Sequence, residues 1–285
     1  MKNILIIGIN SLIGSEFFKS YKNSYSIFGT SRRKNNFFYL DLSNNPESWP
    51  QFDIIYDCII FCGSYSSIEE CKKNENLSYR INVTSMYDII SKYKKKNTQL
   101  IFFSSSHVFD GKKKLYSEDD KTNPKNILGI HKLKGEEIIL NEDGLVIRLT
   151  KVLDYNFSRF QNWCNYLYKK ESIEVFTNLT VSLINLDKVI ALLAKVIDNN
   201  CKGIIHLSGS DEFSYYDIAK MLAKNLNFDS NLILKSFGDY EITGRINYHT
   251  CLKTSRIVNK FGIKTLSTKE VIEDWCNYYK KKLNR

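Results

Sequence analysis

Short apolar runs alternate with helical hydrophobic patterns through the first half of the chain. The runs predict strands at residues 2–7, 25–30, 37–41, 57–61, 99–104 and 145–149, and the helical patterns between them lie at 11–21, 77–93 and 126–140. Strands separated by helices are typical of parallel sheets joined by right-handed crossovers. We therefore predict an α/β fold with a doubly wound parallel sheet of the Rossmann type.

The pattern is less regular after about residue 150. It predicts a strand at 203–207 and helices at 158–169, 185–197, 214–225 and 267–281. Ser214 has the residue type and position of a helix N-cap. We predict a dinucleotide-binding domain over residues 1–150 and a smaller, mixed substrate-binding lobe over 151–285 that is partly interwoven with it.

The composition is that of an ordinary globular protein. Of 285 residues, 43% are hydrophobic and 25% are charged, which excludes wholesale disorder and a long coiled coil. No apolar run reaches the roughly 18 residues of a membrane-spanning helix. The first apolar run is too short for a signal peptide and ends in a glycine turn. We therefore expect a cytoplasmic protein without a membrane partner.

The cysteine spacing and the net charge limit the classes of ligand and partner that the chain is expected to bind. The seven cysteines include no CxxC pair, so we expect reduced thiols and no bound metal. The net charge is +10, but the lysines are dispersed in short runs without an interleaved aromatic platform. That pattern favours a phosphorylated small molecule over a nucleic acid as the partner. The sequence is also compatible with a homo-oligomer.

A glycine turn joins the first predicted strand to the first predicted helix. Gly8, Ser11 and Gly14 follow the spacing of a GxxGxxG motif, with serine in the middle place. Small residues at such a junction let backbone N–H groups approach a pyrophosphate at the helix N-terminus. The candidate cofactor-binding residues of this turn are Gly8, Asn10, Ser11, Leu12, Ile13 and Gly14. The alternative is a plain strand-to-helix turn in which Gly14 only permits close packing.

The second predicted strand ends in a basic turn. Ser31 is followed by Arg32 and Arg33, with no acidic residue at this position. In dinucleotide-binding folds an arginine here accommodates a 2′-phosphate, whereas an acid binds a ribose 2′-hydroxyl. The turn therefore predicts NADP(H) in preference to NAD(H), with a solvated basic turn as the alternative. Asp41 and Leu42, after the next strand, are placed to meet the adenine.

Several motifs occur in the order and spacing of a known superfamily. They are residues 62–64 (CGS), 79–84 (YRINVT), 103–111 (FSSSHVFDG), 116–119 (YSED), 123–126 (NPKN), 132–136 (KLKGE) and 203–209 (GIIHLSG). On these motifs the chain resembles the extended short-chain dehydrogenase/reductase superfamily, and within it the dTDP-4-dehydrorhamnose reductase group of sugar-nucleotide enzymes. The resemblance implies that Cys62, Gly63, Ser64 and Asn82 lie beside the cofactor.

The resemblance also implies a set of residues for catalysis and substrate binding. Ser105 matches the Ser/Thr that polarises the substrate carbonyl, and Lys132 matches the lysine that tunes the catalytic phenol and binds the nicotinamide ribose. The residue four before Lys132 is Leu128, where the family has its proton-donating tyrosine. Ser106 replaces a family aspartate in the substrate site. Arg245 matches a family arginine that pairs with the substrate diphosphate, and a surface arginine without such a role is the alternative.

The missing tyrosine leaves the proton donor unassigned. His107 follows Ser105 by two residues, so both side chains project to the same side of an extended segment. Histidine titrates near neutrality, which makes His107 a candidate replacement acid. A structural histidine is the alternative.

Two functions follow from these residues. The first is an NADP(H)-dependent reductase that acts on a nucleotide-activated deoxysugar for surface polysaccharide. The second is a catalytically degenerate member that still binds cofactor or sugar nucleotide and acts as a regulatory or structural partner. Leu128 favours the second function, while Ser105, Lys132 and the glycine turn are compatible with both.

Overall fold

The computed structural model describes residues 1–33, 37–238 and 249–283. A central sheet of seven parallel strands has the order β11-β6-β5-β4-β1-β2-β3, which confirms the predicted Rossmann-type α/β fold. The strands are β1 (Asn3–Ile7), β2 (Ser26–Ser31), β3 (Phe38–Tyr39), β4 (Cys58–Phe61), β5 (Gln99–Ser105), β6 (Leu145–Leu149), β7 (Lys151–Leu153), β8 (Ile173–Phe176), β9 (Thr180–Val181), β10 (Leu183–Asn185), β11 (Gly203–Leu207), β12 (Phe213–Ser214) and β13 (Ile233–Ser236).

Helices connect these strands, and most begin at a polar cap that the sequence provides. The caps of α1, α5 and α8 are Ser11, Asn126 and Ser214, whose side chains each accept a hydrogen bond from a first-turn N–H group. The helices are α1 (Leu12–Tyr21), α2 (Ile68–Lys73), α3 (Glu75–Tyr79), α4 (Ser85–Tyr93), α5 (Ile127–Asn141), α6 (Ser158–Tyr168), α7 (Leu186–Asp198), α8 (Tyr215–Leu226), α9 (Ser255–Phe261) and α10 (Thr268–Leu283). A π-helical segment, Arg80–Thr84, joins α3 to α4.

The chain forms two compact units. The first comprises Met1–Val108, Thr122–Arg148 and Ile190–Ile205. Its central strands are apolar on both faces, as a parallel strand covered by helices on both sides requires, and Ile4 to Ile7 are at most 1% exposed. The second comprises Phe109–Lys121, Leu149–Val189 and His206–Arg285, with a core around the buried rings of Phe160 and Trp275.

A buried ion pair ties α5 to the sheet of the first unit. Arg148 on β6 donates from Nε to Glu136 Oε1 at 2.9 Å and from Nη2 to Glu136 Oε2 at 2.6 Å. The Ser104 hydroxyl also donates to Glu136 Oε1. Both charged side chains are at most 3% exposed. A paired charge at this depth is tolerated because its hydrogen bonds replace those to water.

We expect Glu136→Gln to lower the free energy of unfolding by about 3–5 kcal/mol, because it removes the negative charge that pairs with the buried Arg148 guanidinium. Urea denaturation at pH 7 measures the change. The exposed neighbour Glu137 provides a matched control, and Glu137→Gln should stay within about 0.5 kcal/mol of the wild type. A loss below about 1 kcal/mol for Glu136→Gln would contradict a stabilising role for this pair.

Within the described ranges, no helix combines the length and the apolar character needed to cross a membrane. The same part of the chain holds no group of three or more His, Cys, Asp or Glu residues that could bind a metal ion.

Candidate functional site

The turn after β1 is built on two closely packed glycines. Gly8 has a φ of +83°, and a Cβ added there would lie 2.5 Å from Gly63 Cα. Any side chain at Gly8 would therefore be strained in its backbone and would collide with the segment after β4. Gly63 N in turn donates to Ile7 O at 2.7 Å. These contacts hold the ends of β1 and β4 side by side.

The N-terminus of α1 opens directly onto this turn. Ser11 Oγ accepts a hydrogen bond from Gly14 N at 3.1 Å, and Ser11 N donates to Gly8 O at 3.0 Å. A helix leaves the N–H groups of its first turn without partners inside the helix, which here include those of Leu12 and Ile13. Such an end is suited to an anion, because the unpaired N–H groups and the helix dipole both favour negative charge.

The end of β2 is fixed against the same turn. Asn10 Nδ2 donates to Ser31 Oγ at 2.6 Å, and Arg33 N donates to the same oxygen at 2.9 Å. Thr30 Oγ1 accepts a hydrogen bond from Gly8 N at 3.2 Å. These bonds define the backbone path that carries Arg32 and Arg33 away from the strand.

Asp41 and Leu42, which follow β3, lie beside the end of β4. Asp41 Oδ1 accepts hydrogen bonds from Ser43 N at 2.9 Å and from Ser43 Oγ at 2.7 Å, so one carboxylate oxygen stabilises its own turn. The indole of Trp49 donates to Asp41 O at 2.9 Å. Leu42 Cδ1 lies 3.3 Å from the place of a Cβ on Gly63, which brings this segment against the end of β4.

These segments enclose a cavity of about 230 Å³ in the first unit. Eleven of the predicted cofactor-binding residues line it: Gly8, Asn10, Ser11, Ser31, Arg32, Arg33, Asp41, Leu42, Cys62, Gly63 and Ser64. Its other lining residues, Ile7, Thr30, Leu40, Tyr65 and Ile81, were not anticipated from the sequence. Leu12, Ile13 and Gly14 belong to the helix turn behind the cavity wall. Asn82 and Lys132 also lie outside the lining.

Asn82 shapes the cavity indirectly. It sits in the π-helical segment, where its Oδ1 accepts from Tyr65 N at 2.8 Å and its Nδ2 donates to Tyr65 O at 3.0 Å. The side chain is 6% exposed, and this pair of bonds fixes the backbone of a lining residue. In the structure Asn82 therefore positions Tyr65.

Lys132 lies behind Cys62, on α5. Its Nζ donates to Phe103 O at 2.8 Å and lies 4.7 Å from the centroid of the Phe102 ring. Burial lowers the pKa of Lys132 to about 8, against the opposing effect of Cys62, Cys71 and Glu136. A lysine in this state exchanges its proton close to neutral pH.

Cys62 links the cavity to Lys132. Its thiol lines the cavity, receives a hydrogen bond from Ser11 and lies within electrostatic range of the Lys132 ammonium. Burial nevertheless raises the pKa of Cys62 to about 12, so the group remains a thiol at neutral pH.

The start of α5 is fitted closely to the segment after β5. A Cβ on Gly129 would lie 2.2 Å from His107 O, so only glycine permits this approach. Asn126 Oδ1 caps the helix by accepting from Gly129 N at 2.9 Å, which turns its Nδ2 toward His107 Nδ1 at 3.3 Å. His107 N donates to Ser105 Oγ at 3.3 Å. Ser105, His107 and the first turn of α5 therefore form one connected group.

Three predicted residues remain to be placed: Leu128, Ser106 and Arg245. Leu128 is 5% exposed and, four residues before Lys132, shares its helix face. Ser106 is 7% exposed and follows Ser105 in a short 3₁₀ turn. Arg245 lies outside the described residues.

Comparisons with known proteins agree with this architecture. A probable low-salt glycan biosynthesis reductase, Agl14 from Haloferax volcanii, is 22% identical over 276 residues, which cover 90% of this chain and 91% of that protein. Methionine adenosyltransferase 2 subunit beta from Xenopus tropicalis is 25% identical over 249 residues, covering 81% of this chain and 74% of that protein.

The solved structure of dTDP-4-dehydrorhamnose reductase from Bacillus anthracis in complex with NADP superposes with a TM-score of 0.83. It is 20% identical, over 97% of this chain and 99% of that one, and this likeness shows the shared fold. The family model of the RmlD substrate binding domain matches residues 1–280. The chain belongs to the RmlD substrate binding domain family.

Proposed function

We propose that this chain is an NADP(H)-dependent reductase that acts on the 4-keto group of a nucleotide-activated deoxysugar used for surface polysaccharide. The observation that carries the proposal is the cavity at which the glycine turn after β1, the arginines after β2 and the segment after β4 converge. The names of the relatives support the chemistry, since one is a glycan biosynthesis reductase and a dTDP-4-dehydrorhamnose reductase of the same fold was solved with NADP.

The residues of the cavity fit a dinucleotide phosphate. The packing of Gly8 on Gly63 leaves no side chain between the turn and a pyrophosphate, and the first turn of α1 supplies N–H donors to it. Arg32 and Arg33 provide planar, permanently charged donors for a 2′-phosphate. Asp41 and Leu42 are assigned to the adenine. The cofactor, when bound, supplies the hydride.

The chain's own groups then act on the carbonyl of the sugar. We assign the Ser105 hydroxyl to polarising that carbonyl, and Lys132 to the nicotinamide ribose. His107 is the neighbouring polar group in the same connected set. Ser106 and Arg245 are assigned to the substrate, with Arg245 pairing with its diphosphate.

We expect NADPH to bind at least about tenfold more tightly than NADH, because a hydrogen bond to a charged group contributes about 1.5–3 kcal/mol. The double variant Arg32→Ala/Arg33→Ala should lose the preference by weakening NADPH alone. Fluorescence titration of both nucleotides measures the affinities, and Arg159→Ala, an exposed arginine of the second unit, serves as the control. Equal affinities in the wild type would overturn the preference, and absence of binding by either nucleotide would overturn the cofactor assignment.

A second candidate function is a cofactor- or nucleotide-sugar-binding partner without its own turnover. Leu128 favours it, because loss of a proton donor costs about 10²–10⁴-fold in rate. The methionine adenosyltransferase 2 subunit beta relatives also support it, since their name is that of an enzyme subunit. The two functions differ in one measurement: a reductase oxidises NADPH when given a 4-keto sugar nucleotide, whereas a binding partner holds NADPH without oxidising it.

A further inference from the structure

The reductase reaction needs a proton as well as a hydride. Hydride addition to a ketone leaves an alkoxide, and the phenol that protonates it in the resembling enzymes is replaced here by Leu128. Leucine carries no exchangeable proton. The donor must therefore be another group near Ser105.

The geometry argues against His107 as that donor. Asn126 Oδ1 is committed to the helix cap, so the Asn126 amide presents its N–H to His107 Nδ1. The ring then accepts at Nδ1, so this nitrogen is not an atom that releases a proton. An imidazolium would place a second N–H against the amide N–H.

Two further groups, the Cys62 thiol at the cavity and the Ser105 hydroxyl, are weak acids. Burial raises the pKa of the Cys62 thiol to about 12, and the thiol is turned to Ser11. Ser105 is an aliphatic alcohol whose Oγ accepts from His107 N. Neither is suited to supply a proton at neutral pH.

Lys132 has both the position and the protons. It lies one helical turn from Leu128 on the same face of α5. Its Nζ is fixed at the carboxyl end of β5 by the Phe103 carbonyl, two residues before Ser105. It lies within electrostatic range of Cys62, which lines the cavity. The Phe103 carbonyl engages one of its three N–H bonds, which leaves two to bond elsewhere.

We infer that the Lys132 ammonium group is itself the proton source for the sugar alkoxide, directly or through one water. In this step the hydride forms the new C–H bond and NADPH is oxidised to NADP⁺. A Lys132 N–H bond breaks while the O–H bond of the sugar forms, and solvent then returns a proton to the amine. This inference rests on the proposed reductase function.

The surroundings of Lys132 support the role. Burial lowers its pKa to about 8, and the titratable groups facing it are the thiols of Cys62 and Cys71 and the Glu136 carboxylate. Glu136 is paired with Arg148, and burial raises the pKa of both thiols. A donor of this kind predicts a rate that is constant below about pH 8 and falls tenfold per pH unit above it.

The first test needs no turnover. Because the folded pKa of Lys132 lies below its unfolded value of 10.5, the unfolded chain binds more protons between about pH 8 and 10.5. The wild type should therefore gain stability as the pH rises through this range. Lys132→Met lacks this gain, so the stability difference between variant and wild type should change between pH 7 and pH 10. Lys134→Met, at an exposed position on α5, is the control for the loss of a lysine charge. A constant difference for Lys132→Met would mean an ordinary lysine and would overturn the inference.

The second test measures single-turnover NADPH oxidation with dTDP-4-dehydrorhamnose as the probe, together with NADPH affinity. Lys132→Arg retains the charge and the donors but does not release a proton in this pH range. We expect it to keep NADPH affinity within about threefold while the rate falls by about 10²–10⁴-fold, and Lys134→Arg to match the wild type. If Lys132→Arg turned over as fast as the wild type, the inference about Lys132 would be wrong, but the reductase proposal would stand. NADPH binding without any wild-type turnover would overturn the reductase proposal and this inference with it.

Discussion

Replacing Leu128 with tyrosine is expected to raise the rate of 4-keto reduction, but by less than the roughly 10²–10⁴-fold of a complete general acid, because Lys132 already supplies a proton. The new phenol would lie one helical turn from Lys132, whose positive charge favours the phenolate and so makes the phenol a better acid. Stopped-flow measurement of NADPH oxidation, with both variant and wild type saturated in cofactor, gives the two rates.

Leu128→Phe is the matched control, because it adds the same ring without the hydroxyl. Both variants place extra atoms at a position that is 5% exposed, at an expected cost of about 1–3 kcal/mol in stability. Only Leu128→Tyr should gain rate. Equal rates in the two variants would show that position 128 does not face the reacting carbonyl.

Replacing Gly8 with alanine is expected to weaken NADPH binding by about 10²–10⁴-fold. The added Cβ would lie 2.5 Å from Gly63 Cα and 2.6 Å from Gly63 N, so the segments after β1 and β4 must separate. Separation removes hydrogen bonds from the turn to a charged phosphate, which contribute about 1.5–3 kcal/mol each, and we count the loss of two. Isothermal titration of NADPH measures the effect.

A variant at Gly203 provides a control that separates the effect of this collision from the effect of backbone strain. It has a φ of +82°, close to the +83° of Gly8, but a Cβ there meets nothing within 4 Å. Gly203→Ala should therefore lose about 1–3 kcal/mol of stability through strain and keep its NADPH affinity. If Gly8→Ala bound NADPH as tightly as Gly203→Ala, the close approach of Gly8 to Gly63 would have no part in the cofactor site.

The central sheet was predictable because its strands are short, apolar and bounded by capped helices. The strands at 145–149 and 203–207 have the predicted bounds. Periodicity does not reveal which strands lie next to each other. The position of β11 beside β6, at the edge of the main sheet, is one example. Short elements such as α2 and α9 were missed because six or seven residues carry too little periodicity.

The division of the chain into these two units depends on contacts that the local sequence pattern does not show. Residues 190–205 belong to the first unit. They are held there by long-range bonds, among them those from Gln99 Nε2 to Val196 O and Cys201 O, both at 3.1 Å. Bonds between residues about 100 positions apart leave no local pattern in the chain.

Some features of the candidate site could also be predicted from the sequence, and others could not. The glycine turn was predictable because its geometry is local: a positive φ and a backbone contact admit only glycine at Gly8. Tyr65 and Ile81 reach the cavity through tertiary packing, and only the Asn82 bond to the Tyr65 backbone explains why Tyr65 lies there. The sequence indicated that Lys132 is important. Its unusual environment, behind Cys62 and against the Phe103 carbonyl, required the structure.

A reductase of this kind transfers a hydride from NADPH to a sugar ketone, and that transfer can be followed directly. The most direct measurement is isotope transfer, with NADPH deuterated at the reactive C4 position and dTDP-4-dehydrorhamnose as the acceptor, followed by mass spectrometry of the sugar nucleotide. We expect a reduced product that carries one deuterium on sugar carbon 4, and loss of this product in Lys132→Arg. Tight NADPH binding with no deuterium in the sugar nucleotide would exclude the reductase function and favour the non-catalytic partner.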